Sequence, residues 1–218
     1  MRYTIHPAPP TAGLELPGST DFWDKAEVGK IESFPWEPQD PLPQVAFRVL
    51  YDSQSLYLRF DVREWALHAT HVGHQSEVWQ DNCVEWFFRP GVPEGIPYLN
   101  FEFNCLGYLL LGCGPAREGR ERVPLEQIDQ VWIRAPYSEP IIDDSPGPKD
   151  WTLEAAIPHS VVLAATGVEA PRPGTIWKGN FNKCSQSTQP SHYGSWNPIE
   201  SPHPDFHRPE CFGDLVFA

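Results

Sequence analysis

Two stretches of alternating character dominate the chain: WQDNCVEWFF, Trp79 to Phe88, and YLNFEFN, Tyr98 to Asn104. Both mix strand-forming aromatic and β-branched residues with polar groups at alternate positions, and a Gly- and Pro-rich segment, RPGVPEGIP, separates them. The pattern predicts two antiparallel strands with a long connection. Glu85 and Glu102 stand among aromatics inside these strands. An unpaired charge in an apolar setting is costly, so carboxylates in such places need partners.

The same period continues elsewhere. Ala46 to Tyr51 and Ser55 to Val62 read as a hairpin with one core face, turning at Asp52 and Ser53. Arg59, on its polar face, is placed to serve a carboxylate on a neighbouring strand. Tyr108 to Leu111, Val131 to Ala135, Trp151 to Ile157, Ile176 to Lys183 and Phe212 to Phe217 are further strands, and Asn104 to Gly107 is a turn. Pro158 to about Ala165 predicts a short helix, with proline suiting its first turn and Gly167 its stop. Residues 1–44 are punctuated by Pro and Gly and predict an extended N-terminal arm with one helical turn at Phe22 to Ala26. Arg63 to Trp79, Pro140 to Lys149 and Ser185 to Pro209 predict irregular loops. The expected fold is all-β: an antiparallel β-sandwich with long irregular loops and one short helix, a single domain over residues 1–218.

Composition narrows the function. The 218 residues include 25 prolines, which disfavour long helices, and nine tryptophans, which supply a large core. A net charge of −13 argues against nucleic acid or an anionic membrane surface as partner. The five cysteines are widely spaced without a CxxC, which fits buried thiols in a reducing compartment. The start, MRYTIHPAPP, lacks the apolar core of a secretory signal, and together these predict a cytoplasmic location, or a secreted one if a leader has been removed.

Three chemistries fit the polar residues. In the first, sugars present C–H faces to flat rings and hydroxyls to fixed donors and acceptors. Trp79 and Trp196 lie outside core-like runs and would form two walls, with Glu85, Arg59, Glu102 and Asn104 as the polar set and Asn100, Asn180 and Asn182 as further candidates. Asp81 reads equally as turn cap or ligand. The bland reading has the tryptophans lidding the core and the glutamates paired structurally, giving an interaction domain with a degenerate pocket. In the second, Glu85 and Glu102 are the acid and base, or acid and nucleophile, of a glycosidase. In the third, Asp61, Asp143 or Asp144 supplies oxygen ligands to calcium. No other cofactor is required. His68, His71 and His74 have ligand-like spacing only on a helix, which Gly73 interrupts. The REGRER segment, Arg117 to Arg122, reads as a solvated loop or as a cover over a ligand mouth.

LYLRFDV, VWQDNCVEWFFRP, YLNFEFNCLGYLLLG, WTLEAAIP, GNFNKC, YGSWNP and FGDLVF, in this order across most of residues 40–217, resemble a carbohydrate-binding module of family 9 in its stand-alone branch. The resemblance implies a β-sandwich that binds without cleaving and holds the ends of cellulose-like or xylan chains, or a mono- or oligosaccharide, between two tryptophans. It also implies that the module can carry structural calcium. Trp79 and Glu85 match one wall and its carboxylate, and Trp196 matches the second wall.

Overall fold

The computed structural model describes residues 1–10, 20–36, 40–91 and 95–218. Its strands are β1 (Arg2–Pro7), β2 (Gly29–Ile31), β3 (Gln44–Tyr51), β4 (Ser55–Glu64), β5 (Leu67–Ala69), β6 (Cys83–Arg89), β7 (Tyr98–Asn104) and β8 (Leu109–Gly114). They continue with β9 (Glu121–Arg122), β10 (Trp132–Arg134), β11 (Ile141–Asp143), β12 (Lys149–Pro158), β13 (Ile176–Ser185), β14 (His192–Ser195) and β15 (Gly213–Phe217). Two α-helices, α1 (Leu125–Ile128) and α2 (His159–Thr166), and three 3₁₀ turns complete the described elements.

The long strands form where alternation is clean. The β3–β4 hairpin closes on Asp52, whose side chain accepts from the backbone N–H of Gln54 at 2.7 Å and of Ser55 at 2.9 Å. Helix α2 follows Pro158 and stops at Gly167, which takes the left-handed conformation, φ 72°, and donates its N–H to the Leu163 carbonyl. The Asn104–Gly107 turn likewise uses a glycine at φ 83°. The sequence does not disclose β5, β11 and β14, which fall in stretches expected to be irregular, because three or four residues are too few to show a period.

The domain is all-β, but the expected pair of separate antiparallel sheets is corrected. Among the described residues thirteen strands form one sheet in the order β10-β12-β4-β3-β1-β15-β13-β6-β7-β8-β9, with β2 beside β3 and β14 beside β13. Strands β5 and β11 form a separate ladder. The joint is β1. Its first residues pair in parallel with β15 and its last two, His6 and Pro7, in parallel with β3, so the sheet is mixed and continuous. Of the stretch expected as an N-terminal arm, residues 2–7 therefore lie inside the sheet, while residues 11–19 and 37–39 fall outside the described residues.

The sheet curls into a half-barrel so that its two flanks face each other. Phe47 of β3 and Phe181 of β13, three strands apart along the sheet, stack with ring centroids 3.7 Å apart. Trp86 also lies parallel to Phe181, with centroids 5.6 Å apart, and Trp196, Tyr3 and Phe60 meet its edge. One ion pair crosses the same space. Lys183 of β13, fully buried, reaches Glu64 of β4 at 2.9 Å, and Glu64 also accepts from Trp151 Nε1 at 2.5 Å. No described helix is long and apolar enough to cross a membrane.

Removing one partner of a buried pair leaves an uncompensated charge. Lys183→Met is expected to lower the unfolding free energy by about 3–5 kcal/mol, and Lys183→Met with Glu64→Gln by much less. Equilibrium urea unfolding checks this; equal losses in the single and double variants would contradict the role given to the pair.

Candidate functional site

Strand alternation gives the β6–β7–β13 region two faces. Val84, Trp86, Phe88, Phe101, Phe103 and Phe181 point into the main core. Cys83, Glu85, Phe87, Asn100, Glu102, Asn182 and Cys184 occupy the alternate positions and face the other way. There a second, smaller cluster forms from Phe87, Tyr98, Leu110, Cys184, Phe206 and Phe212, with Trp79 and Tyr193 packed at its border. Loops fold over this outer face and leave a cleft of about 330 Å³.

The floor of the cleft carries two carboxyls. Glu85 and Glu102 are direct register partners on β6 and β7, and only 2% and 4% of their surfaces are exposed. Asn182 donates to Glu85 Oε2 at 3.3 Å, and Asn100 donates to Glu102 Oε1 at 2.8 Å. The Cys184 thiol lies 3.3 Å from Glu85 Oε1 and 3.4 Å from the Trp79 carbonyl. Burial, with the neighbouring Cys184 and Glu102, holds the Glu85 carboxyl well above the usual carboxylate range. Burial raises Glu102 to about 7, opposed by Asn100 and the nearby arginines.

The walls come from loops. Trp79 stands on the 3₁₀ turn Val78–Gln80. The fully buried Asp81 ties that turn down, accepting from the backbone N–H of Thr70 and His71, both at 3.1 Å, and from Asn104 Nδ2 at 2.8 Å. The Gln80 carbonyl accepts from the N–H of Gln186 and Ser187, which joins the turn to the end of β13. Tyr193 of β14 is the register partner of Cys184, so Trp79 and Tyr193 flank the same thiol. Arg117, Arg120 and Arg122 line the cleft, with Arg117 paired to Asp205 at 2.9 Å. Burial, and then Arg120 and Arg117, push the His207 imidazole down to about 3, so it stands neutral, bonded to the Tyr98 hydroxyl at 2.9 Å.

Of the expected site residues, the structure brings Trp79, Glu85 and Glu102 together. It places Asn104 behind the cleft as the partner of Asp81. It does not bring Trp196 there. Trp196 is 7% exposed and packs in the main core against Tyr3, Phe47 and Phe181, over Gly213, where a Cβ would come within 2.6 Å of its ring. Arg59 lies on the opposite flank, and the carboxylates it serves are Asp61 at 2.6 Å and Glu154 at 2.9 Å. Asp61 is held by Arg48 and Arg59, Asp143 accepts from Ser145, and Asp144 pairs with His68. The three histidines diverge: His71 bonds Asp81, and His74 accepts from the Leu109 N–H. Arg117, Arg120, Glu121 and Arg122 of the REGRER segment border the cleft, and most of the segment is exposed.

Sequence reasoning missed Tyr193, Gln186, Phe206 and His207. For Tyr193 a signal existed: Tyr193 and Trp196 are three residues apart, so in an extended chain they face opposite ways and cannot both be wall or both be core. A second groove, about 1220 Å³, lies on the other flank beside Phe34, Trp65 and Trp151, but it has no comparable pair of buried carboxyls.

The family model for carbohydrate-binding family 9 matches residues 19–217. A crystal structure of a proposed carbohydrate-binding protein from Bacteroides uniformis is 30% identical, superposes with a TM-score of 0.88, and is covered over 100% of this chain and 99% of its own. Two structures of a family 9 module from Caldicellulosiruptor kristjanssonii, one with glucose and one with cellotriose, share the fold at 14% identity. Their TM-scores are 0.63 and 0.65, over 100% of this chain and 96% and 93% of theirs. A protein from Arthroderma benhamiae is 26% identical over 83% of this chain and 81% of its own length, and it is named an extracellular protein. That relative overturns the cytoplasmic location expected from the first residues and the spacing of the cysteines.

Between pH 4.5 and about 7 the folded chain keeps a proton on Glu102 that the unfolded chain has released. The stability this carboxyl contributes is therefore full at low pH and is lost as the pH rises through that window. Urea unfolding of wild type and Glu102→Gln from pH 4.5 to 8 checks this: the decline should be shallower in the variant, and an identical slope would contradict it.

Proposed function

The chain belongs to carbohydrate-binding family 9, and on that premise we propose that the outer-face cleft binds a mono- or oligosaccharide and leaves it intact. One observation carries this reading: aromatic walls at Trp79 and Tyr193 stand beside a buried polar floor at Glu85 and Glu102. A sugar ring needs that combination. Its C–H faces pack against indole and phenol rings, and its hydroxyls bond to the carboxyls below and the arginines at the side. A volume of about 330 Å³ suits one or two sugar rings. The second aromatic wall is Tyr193 in place of Trp196. The glucose and cellotriose bound by the Caldicellulosiruptor modules support a glucose-based ligand.

The electrostatics argue against hydrolysis. A glycosidase needs one carboxylate ionised, as nucleophile or base, beside a protonated acid. Burial raises both Glu85 and Glu102 above the ordinary carboxylate range, so below about pH 7 neither is a standing base. We extend the extracellular location named for the Arthroderma benhamiae relative to this chain, where a polysaccharide would be met.

Calorimetric titration with glucose, cellobiose, cellotriose and xylobiose tests the reading. Saturable binding of at least one sugar is expected, with the sugar recovered uncleaved. Trp79→Ala is expected to cost about 2 kcal/mol, roughly thirtyfold in affinity. Trp196→Phe, a core change, is expected to leave affinity within about threefold in the folded protein. Binding lost in Trp196→Phe but kept in Trp79→Ala would overturn the assignment of the walls.

A further inference from the structure

The floor of the cleft contains two thiols that sugar binding does not use, beside the Glu85 carboxyl that it does. Cys83 and Cys184 are direct register partners on β6 and β13, and their side chains lie on the same face as Glu85. All three residues are buried, and one donor atom from each lies within 4.8 Å of the other two. Among the described residues it is the one trio of metal-type donors that converges so closely. We propose that Cys83, Cys184 and Glu85 form a binding site for a soft divalent transition metal of the zinc class.

The geometry fits that ion. Zinc bound tetrahedrally lies about 2.3 Å from sulfur and about 2.0–2.2 Å from a carboxylate oxygen, which sets its sulfur and oxygen ligands roughly 3.5 Å apart. Cys184 Sγ and Glu85 Oε1 are 3.3 Å apart. Glu85 and Cys184 border the open cleft, so the fourth position is left to water or a ligand atom. The outer partners of a metal site are also present. Asn182 donates to Glu85 Oε2 at 3.3 Å and orients the carboxyl. The two sulfurs select against calcium and magnesium, which take oxygen ligands.

The thiols have poor partners without an ion. The Cys83 thiol meets the Cys184 thiol and, at 3.7 Å, the carbonyl of the adjacent Val84, and the Cys184 thiol also divides between two acceptors beyond 3.2 Å. Metal binding would replace these contacts with coordinate bonds. Each thiol, and Glu85 where protonated, gives its proton to solvent as it becomes a ligand. The ion keeps its oxidation state and no electrons move. Two thiolates and a carboxylate around a divalent ion leave one net negative charge, which Arg120 and Arg122 on the cleft wall offset.

The test uses the full chain, reduced and stripped of metal with a chelator, and titrated with Co²⁺ as a spectroscopic stand-in for Zn²⁺. The expected result is a one-to-one rise of thiolate-to-cobalt charge-transfer absorption and strong tetrahedral visible bands, reversed by Zn²⁺. Proton release measured in weak buffer should accompany it. Cys83→Ser and Cys184→Ser are each expected to weaken binding beyond the roughly 10–100-fold typical of losing an outer partner. Cys211→Ser, outside the trio, should leave it unchanged. Should the serine variants fail to fold, alkylation of the wild type followed by peptide mass mapping decides: Zn²⁺ should protect Cys83 and Cys184 and leave Cys211 reactive. Absent thiolate–cobalt bands with all five thiols reduced would overturn the proposal. So would a Cys83–Cys184 disulfide that persists in the native protein. The proposal shares Glu85 with the sugar reading but does not rest on it, and titration with sugars in chelator leaves the two to fail separately.

Discussion

The pleat of β6, β7 and β13 is the constraint on which the rest of the structure depends. Successive side chains in a strand must point to opposite faces. Here both faces are covered, so each position has a strict assignment. Phe181 and Lys183 go inward, to the aromatic stack and to Glu64. Asn182 and Cys184, one residue away from them, go outward, to Glu85. A slip of one residue would drive Lys183 into the cleft and Glu85 into the main core, which both the packing and the electrostatics forbid. The same register that builds the core therefore builds the floor of the cleft.

That arrangement explains why polar groups are tolerated at such depth. Glu85 and Glu102 are buried beneath loops and held by asparagines from neighbouring strand positions, and they remain uncharged over part of the neutral range because water is kept from them. The loops are in turn anchored by buried side chains. Asp81 fixes the turn bearing Trp79 through the backbone of residues 70 and 71 and through Asn104. The cleft is thus shaped before any ligand arrives, which limits the ordering cost of binding.

Much of this was legible in the chain. The alternation of VEWFF and NFEFN showed that Glu85 and Glu102 were strand residues in conflict with their surroundings, and the structure makes them the floor of the cleft. The hairpin at Asp52 and the helix after Pro158 carried local turn and cap signals, and both formed. The course of β1 was not legible. Its pairing with β15 and β3 joins residues more than forty positions apart and leaves no local mark. The tryptophans show the same limit more sharply. Trp79 and Trp196 both sit beside Gly, Ser, Asn or Asp in the sequence, yet one borders the cleft and the other supports Phe181. Local polarity could not separate them, because Trp196 is buried by Tyr3 and Phe47 from distant segments.

We propose that sugar is held at the outer face of β6–β7–β13. A crystal structure of the chain soaked with cellotriose tests it directly. A sugar ring is expected against Trp79 and Tyr193, with hydroxyls bonded to Glu85 or Glu102. Sugar bound instead in the groove beside Trp65 and Trp151 on the opposite flank, with the cleft holding none, would contradict it.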